Sequence, residues 1–230
     1  SIAVGQSMTL TYTVAMPAHI SVSTRFDNHA GIRSVSARTN VPGVVPYYPA
    51  GNVDSTIPSD DWDIPAADDG SWVAAPDALV TKSVVTDIGE SGNNIPTGTP
   101  PLPTPQATVG ETMTYTVGVA VPAHTTIYNG VLTDPMTTGI TRLTSTAGFS
   151  ATGAAPFGAL PGGFTFDAAT GTITFPGTYQ NTTSSPHVFQ VTITARVSTL
   201  AGNTDGTNRN NTARFNSNAT LGGTAIAERT

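Results

Sequence analysis

Residues 4–19 and 109–124 align without a gap, and both segments place an apolar side chain at every second position. Met8, Leu10, Tyr12, Val14 and Met16 stand opposite Met113, Tyr115, Val117, Val119 and Val121, with Thr, Gly or Ala between them. A period of two puts the apolar set on one face of an extended chain, so each copy predicts a half-buried antiparallel strand. Pro17 and Pro122 then stop it. Similarity continues more loosely, with Phe26-Asp27 and Gly31-Ile32 resembling Thr133-Asp134 and Gly139-Ile140. A strand that recurs within one chain points to repeated β modules.

The second copy is the fuller one. A β-branched stretch at 78–85 precedes it, followed by an excursion carrying Pro96, Pro100, Pro101, Pro103 and Pro105, expected to be extended and exposed. After the 113–121 strand come a strand near 126–132, the turn Asp134-Pro135, and a hairpin. Phe164-Thr165-Phe166 and Thr172-Ile173-Thr174-Phe175 flank its turn, where Gly171 can take a positive φ. Phe189, Val191, Ile193, Ala195 and Val197 alternate through a long strand, and residues 211–215 form the last. No segment has helical periodicity. The expected fold is all-β, with tandem immunoglobulin-like sandwich modules built from Greek-key antiparallel sheets. The expected divisions are a shorter or incomplete module at 1–76, a full sandwich at 77–220, and a tail or linker at 221–230. Residues 41–69 read as irregular. Either the sequence starts inside a module or its first copy is degenerate, and both leave an open sheet edge for another segment or subunit.

Composition narrows the function classes. Charged residues make up 10% of the 230, the net charge is −6 and the pI is near 4.9, leaving no basic stripe for nucleic acid or an anionic membrane. No apolar run is long enough for a transmembrane helix, and the N-terminus lacks the regions of a signal peptide. With Ser1 in place of an initiator Met, the chain reads as a mature product or an excised fragment. It has no cysteine, so disulfides and thiolate metal sites are excluded. A cysteine-free, Thr-, Gly- and Pro-rich acidic chain fits an exported prokaryotic β protein, which would need another staple.

The chain has a single lysine, Lys82, in Val80-Thr81-Lys82-Ser83-Val84. Strand parity puts Lys82 on the face of Val80 and Val84, where it is either an edge-strand guard or an inward amine with chemistry to do. On the last strand, parity turns Asn211 to the same side as Phe215, which is expected in the core. In a Greek-key sandwich the first and last strands can be neighbours, so the two could meet. A third polar group, Asp134, stands where a strand runs out into Pro135.

Taken in order, the segments 79–82, 109–117, 132–140, 166–175 and 211–213 resemble the DUF11 and fimbrial isopeptide-formation (D2, CnaA-like) domains of bacterial surface adhesins and pilins. The resemblance covers roughly 78–220. It implies immunoglobulin-like modules strung into stalks, many closed by a Lys–Asn isopeptide bond beside an acid. Carried onto this chain, Lys82 is the nucleophile, Asn211 the electrophile and Asp134 the catalytic acid. Burial favours a neutral amine with a free lone pair, and a carboxyl that keeps its proton in an apolar pocket can polarise the asparagine carbonyl. Family domains usually carry their last asparagine further on, so Asn216 and Asn218 stand as alternative electrophiles. Without the resemblance, Asp134 reads as a turn-capping residue and Asn211 as a loop hydrogen-bonder.

Other candidates are weaker. Asp60, Asp61 and Asp63 cluster around Trp62, but their spacing is not that of an EF-hand, and a solvated loop accounts for them better than a Ca²⁺ site. His19 and His124 occupy equivalent repeat positions and read as structural. No metal or cofactor is expected, and no turnover enzyme. The expected function is a structural stalk or spacer of a bacterial cell-surface adhesin or fibre, stabilised by a self-formed isopeptide. Its expected partners are neighbouring modules of the same or identical chains, or a host or matrix ligand. Two alternatives are a pilus-like filament subunit joined by strand complementation, and an adhesin tip binding through loops 41–69 or 145–163.

Overall fold

The computed structural model describes residues 9, 11–18, 20–30, 69–86, 107–204 and 207–230. Among them every regular element is a strand, in the order β1 (Ile20–Ser21), β2 (Arg25–Ala30), β3 (Asp69–Ala74), β4 (Leu79–Thr86), β5 (Thr112–Val121), β6 (Thr125–Thr133), β7 (Ile140–Ser150), β8 (Thr165–Asp167), β9 (Thr172–Thr174), β10 (Thr178–Gln180), β11 (His187–Val197) and β12 (Arg214–Asn218). The fold is all-β, as the period-two pattern requires.

The chain divides into two compact units. The larger comprises Ser1–Val22 and Pro76–Thr230, and the smaller is Ser23–Ala75, inserted between them in sequence. The smaller unit contains the antiparallel pair β2–β3, in register from Arg25↔Ala74 to Ala30↔Asp69.

The larger unit is an immunoglobulin-like sandwich. One sheet has the order β4-β5-β11-β7, all antiparallel. In the other, β6 is central, bordered on one side by β12 and on the other by β9 and β10. β1 continues the β12 side, pairing parallel to β6 at Thr125 and Thr126. Val22, next along, is 1% exposed and joins the core. The sandwich therefore takes material from both sides of the expected boundary at 76.

β5 keeps the predicted alternation. Met113, Tyr115, Val117, Val119 and Val121 are buried, each facing its partner on β11. Phe189 lies between the sheets, stacked on Phe164 and packed at steeper angles against Phe175, Phe149 and Tyr179, at centroid distances of 4.6–5.2 Å. Such ring contacts add specificity to the area they bury. The expected hairpin is present as β8–β9, with Gly171 at φ +67°.

Four expectations need correction. In the first repeat copy, residues 11–18 form no strand, and Tyr12, Val14 and Met16 are 54%, 66% and 44% exposed. Alternation selects a face, but a strand also needs neighbours for its backbone groups, and this copy has none among the described residues. Residues 145–150, expected in a loop, belong to β7, whose Thr- and Gly-rich end hides its strand character. The strands of Lys82 and of residues 211–215, expected as possible neighbours, lie in opposite sheets as β4 and β12. Residues 221–230 run back along β12 as more than a tail, with Phe215 bridging Arg229 and Asn218 bridging Ala225.

Candidate functional site

β4 is an edge strand, yet its inner and outer faces are distinct. Val80, Lys82 and Val84 are half-buried, while Leu79, Thr81, Ser83 and Val85 are exposed. Pairing with β5 sets Lys82 opposite Val117 and Val84 opposite Tyr115. The lysine side chain, 18% exposed, crosses the Tyr115 ring with Nζ 4.9 Å from its centroid. The strand is thus an edge, and the amine points inward.

Asp134 follows the last residue of β6 and is 0% exposed. Its Oδ1 accepts a hydrogen bond from Lys82 Nζ at 2.5 Å. Its Oδ2 accepts one from Asn211 Nδ2 at 3.2 Å. One buried carboxyl group therefore joins the edge of one sheet to the approach of the last strand in the other. Met136 Sδ stands 4.0 Å from the same Asn211 nitrogen. Asn211 Oδ1 is buried and has no hydrogen-bond partner among the described residues.

Asn211 does not lie on β12, as expected, but three residues before it. The alternation nonetheless extends backwards from the strand, with Ala213 and Phe215 buried and Asn211 on their side. Because Arg214 pairs with Thr133, residues before it must run past the end of β6, where Asp134 sits. The alternative electrophiles are elsewhere. Asn216 donates to Glu228 Oε2 at 3.1 Å, and Asn218 pairs with Tyr128 and bridges Ala225.

Burial pushes the Lys82 amine below its ordinary value of 10.5, against the opposing hydrogen bond and charge of Asp134, with Arg142 adding a small push downwards. Burial raises the Tyr115 hydroxyl, helped by the Asp134 charge. Arg142 was invisible to sequence reasoning, yet its Nη2 donates to the Asp134 carbonyl oxygen at 2.6 Å. Tyr115 could have been found from β5 parity, which sets it beside Val117 on the inner face.

A cleft lined by Thr133, Pro135, Met136, Arg142, Ala169, Thr170 and Thr172 opens beside the cluster. Asp60, Asp61, Asp63 and His19 lie outside the described residues. Among the described residues no group of three or more His, Cys, Asp or Glu side chains could hold a metal. No helix among them is long and apolar enough to cross a membrane.

No family model matches this chain, and no curated protein matches it. Among solved structures, it is similar to the full-length major pilin SpaD from Corynebacterium diphtheriae, with 16% identity over 80% of this chain and 39% of that one, TM-score 0.41. The pilus backbone protein RrgB from Streptococcus pneumoniae matches 61% of this chain and 32% of its own length, at 18% identity and TM-score 0.38. The collagen-binding domain of the Erysipelothrix rhusiopathiae surface protein RspB matches 91% of this chain and 54% of its own, at 9% identity and TM-score 0.36. The chain thus spans between about a third and about half of the structures it matches. At this level of similarity the matches define no residue correspondences.

Proposed function

We propose that this chain is a structural segment of a bacterial surface fibre or adhesin, whose sandwich closes itself with an isopeptide bond between Lys82 and Asn211. One observation carries the reading: the fully buried Asp134 carboxyl holds the amine on one oxygen and the carboxamide on the other.

The chemistry balances within the three side chains. Lys82 passes a proton to Asp134, giving a neutral amine and a carboxylic acid inside the core. With the Asn211 amide turned over, its oxygen faces the protonated Asp134, which polarises the carbonyl; the present orientation leaves that oxygen unpartnered. The amine nitrogen attacks Cγ, the N–Cγ bond forms, and the Cγ–Nδ2 bond breaks. Nδ2 departs as ammonia, taking one proton from the amine by way of the carboxyl, which is left protonated, as it was at the moment of attack. The carboxyl returns to the carboxylate when it gives that proton to the departing ammonia, forming ammonium. Proximity in the folded core supplies what an enzyme would otherwise provide. The event happens once per chain, so the protein is its own single-turnover substrate. The product ties β4 to the approach of β12 across the sandwich, a role otherwise filled by disulfides, in a chain without cysteine.

Intact mass under denaturing conditions tests this. The expected mass is lower than the sequence predicts by one ammonia, with the full mass returning in Lys82→Ala. A full mass in well-folded wild-type protein overturns the bond. The cell-surface location and the neighbouring modules or matrix ligand as partners belong to the same proposal.

A second reading, self-association by strand complementation, is favoured by the exposed row Tyr12, Val14 and Met16, whose repeat equivalents form a buried central strand. It expects polymers whose length grows with protein concentration, where a spacer stays monomeric.

A further inference from the structure

β7 contains an irregularity that bears on Asp134. Opposite β11, Thr194 pairs with Thr144 and Ala195 with Arg142, so Leu143 is an extra residue. A bulge of this kind resets strand parity. Arg142 and Ser145, three apart, consequently both turn inward, while Leu143 and Thr144 face solvent.

The guanidinium is then held on three sides. Nη2 donates to the Asp134 carbonyl oxygen at 2.6 Å, and Nη1 lies 3.4 Å from Ser145 Oγ, which itself donates to Ala168 O at 2.5 Å. The β8–β9 turn closes the third side. Gly171 there has φ +67°, and a Cβ on it would overlap Nη1. The end of β6 and the β8–β9 turn thus converge with β7 itself on one side chain, whose shortest bond goes to the main chain of the proposed catalytic acid.

We propose that Arg142 is a positioning residue for the Lys82–Asn211 crosslink, fixing the backbone at Asp134 so that its two carboxyl oxygens stay on the amine and the carboxamide. This rests on the isopeptide reading above. Arg142 touches neither reacting group. It acts by geometry, and by a positive charge that favours the neutral form of Lys82. The charged and titratable groups facing Lys82 are Asp134, Tyr115 and Arg142, and Asp134 and Asp167 act on Arg142.

The test is a time course of ammonia loss in full-length protein made by cell-free synthesis, quenched in denaturing acid and weighed intact, across a range of pH. Arg142→Met should slow closure by about 10- to 100-fold and move the midpoint of the rate–pH curve upwards. Arg142→Lys, which keeps the charge but not the fork, should stay slow while its midpoint returns towards wild type. Folding is controlled with a glycine pair. Gly171→Ala and Gly163→Ala both put a side chain at positive φ, but a Cβ at Gly163 would meet only Pro176, at 3.6 Å. Slowing confined to Gly171→Ala supports the proposal. Equal slowing by both, with an unmoved pH midpoint in Arg142→Met, overturns it, as does wild-type rate and midpoint in Arg142→Met. A wild-type chain that never loses ammonia fails the isopeptide reading itself, a result distinct from either.

Discussion

Lys82 and Asp134 meet with Nζ 2.5 Å from Oδ1, although 52 positions separate them and their strands belong to opposite sheets. Neither residue is paired locally; the sandwich has to form before the contact exists. Any reaction between them therefore reports complete folding.

Asp134→Ala and Asp134→Asn should both yield the full, unclosed mass, because each removes the group that carries the proton. Both should also lower stability. Against the closed wild type, the missing crosslink costs a loop-closure loss of about 4–5 kcal/mol for a loop on the order of 100 residues. Against the equally open Asn211→Ala, losing one partner of the ion pair typically costs about 3–5 kcal/mol more. Denaturant unfolding with intact mass on the same samples separates the two contributions, because Asn211→Ala lacks only the crosslink and holds the free amine against Asp134.

In Asn211→Ala, Lys82 stays a free amine whose folded-state value lies below 10.5. Between that lowered value and 10.5 the unfolded chain binds a proton that the folded chain does not, so stability should rise with pH in this window. Below it the cost of burying the charge is present in full. Closed wild-type protein has no such amine and should lack this increment. Denaturant midpoints at neutral pH and near the upper end of the window, compared between the two proteins, measure it.

His187 hydrogen-bonds through Nδ1 to Tyr179 and through Nε2 to Thr183 at 3.0 Å, packed edge-on to Phe149. Burial holds it below its ordinary 6.5. As pH falls below 6.5 the unfolded state takes up a proton first, so stability should fall with acidification. His187→Gln should flatten that part of the curve, read as the difference between the two stability–pH profiles so that the carboxylates cancel.

Phe189→Ala should cost about 3–5 kcal/mol, since its ring touches four other aromatic rings between the sheets. Gly130→Ala should cost about 1–3 kcal/mol for the opposite reason: its Cβ would stand 2.7 Å from Ile127 Cγ2 and 2.9 Å from Phe175 Cγ. Equilibrium unfolding of both variants checks the pair.

What could be read from the sequence was what alternation and turn chemistry encode. β5, β6, β11 and the β8–β9 hairpin follow from period two, proline stops and a positive-φ glycine, and parity put Lys82 and Asn211 on inward faces. Sheet membership is not legible, because parity fixes a face and says nothing of which neighbour a strand finds; the pattern allows β4 and β12 to be neighbours, and they lie across the core. Arg142 escaped for a sharper reason. Its inward orientation depends on an extra residue at Leu143, and a bulge leaves no mark in a hydrophobic pattern. The failure at residues 11–18 is the converse: a strong pattern that finds no partner among the described residues makes no strand there.

The main-chain nitrogen of Ala75 donates to Thr24 O at 2.7 Å, just beyond the last β2–β3 pair. The two points where the chain departs from the sandwich and rejoins it are thereby clasped together by the insert itself. For the sandwich, ordering β1 beside β6 then requires closing only a short path, whatever length of chain lies past the clasp. Changes in insert length beyond the clasp should therefore leave Val22 in the core, as long as Thr24 and Ala75 still pair.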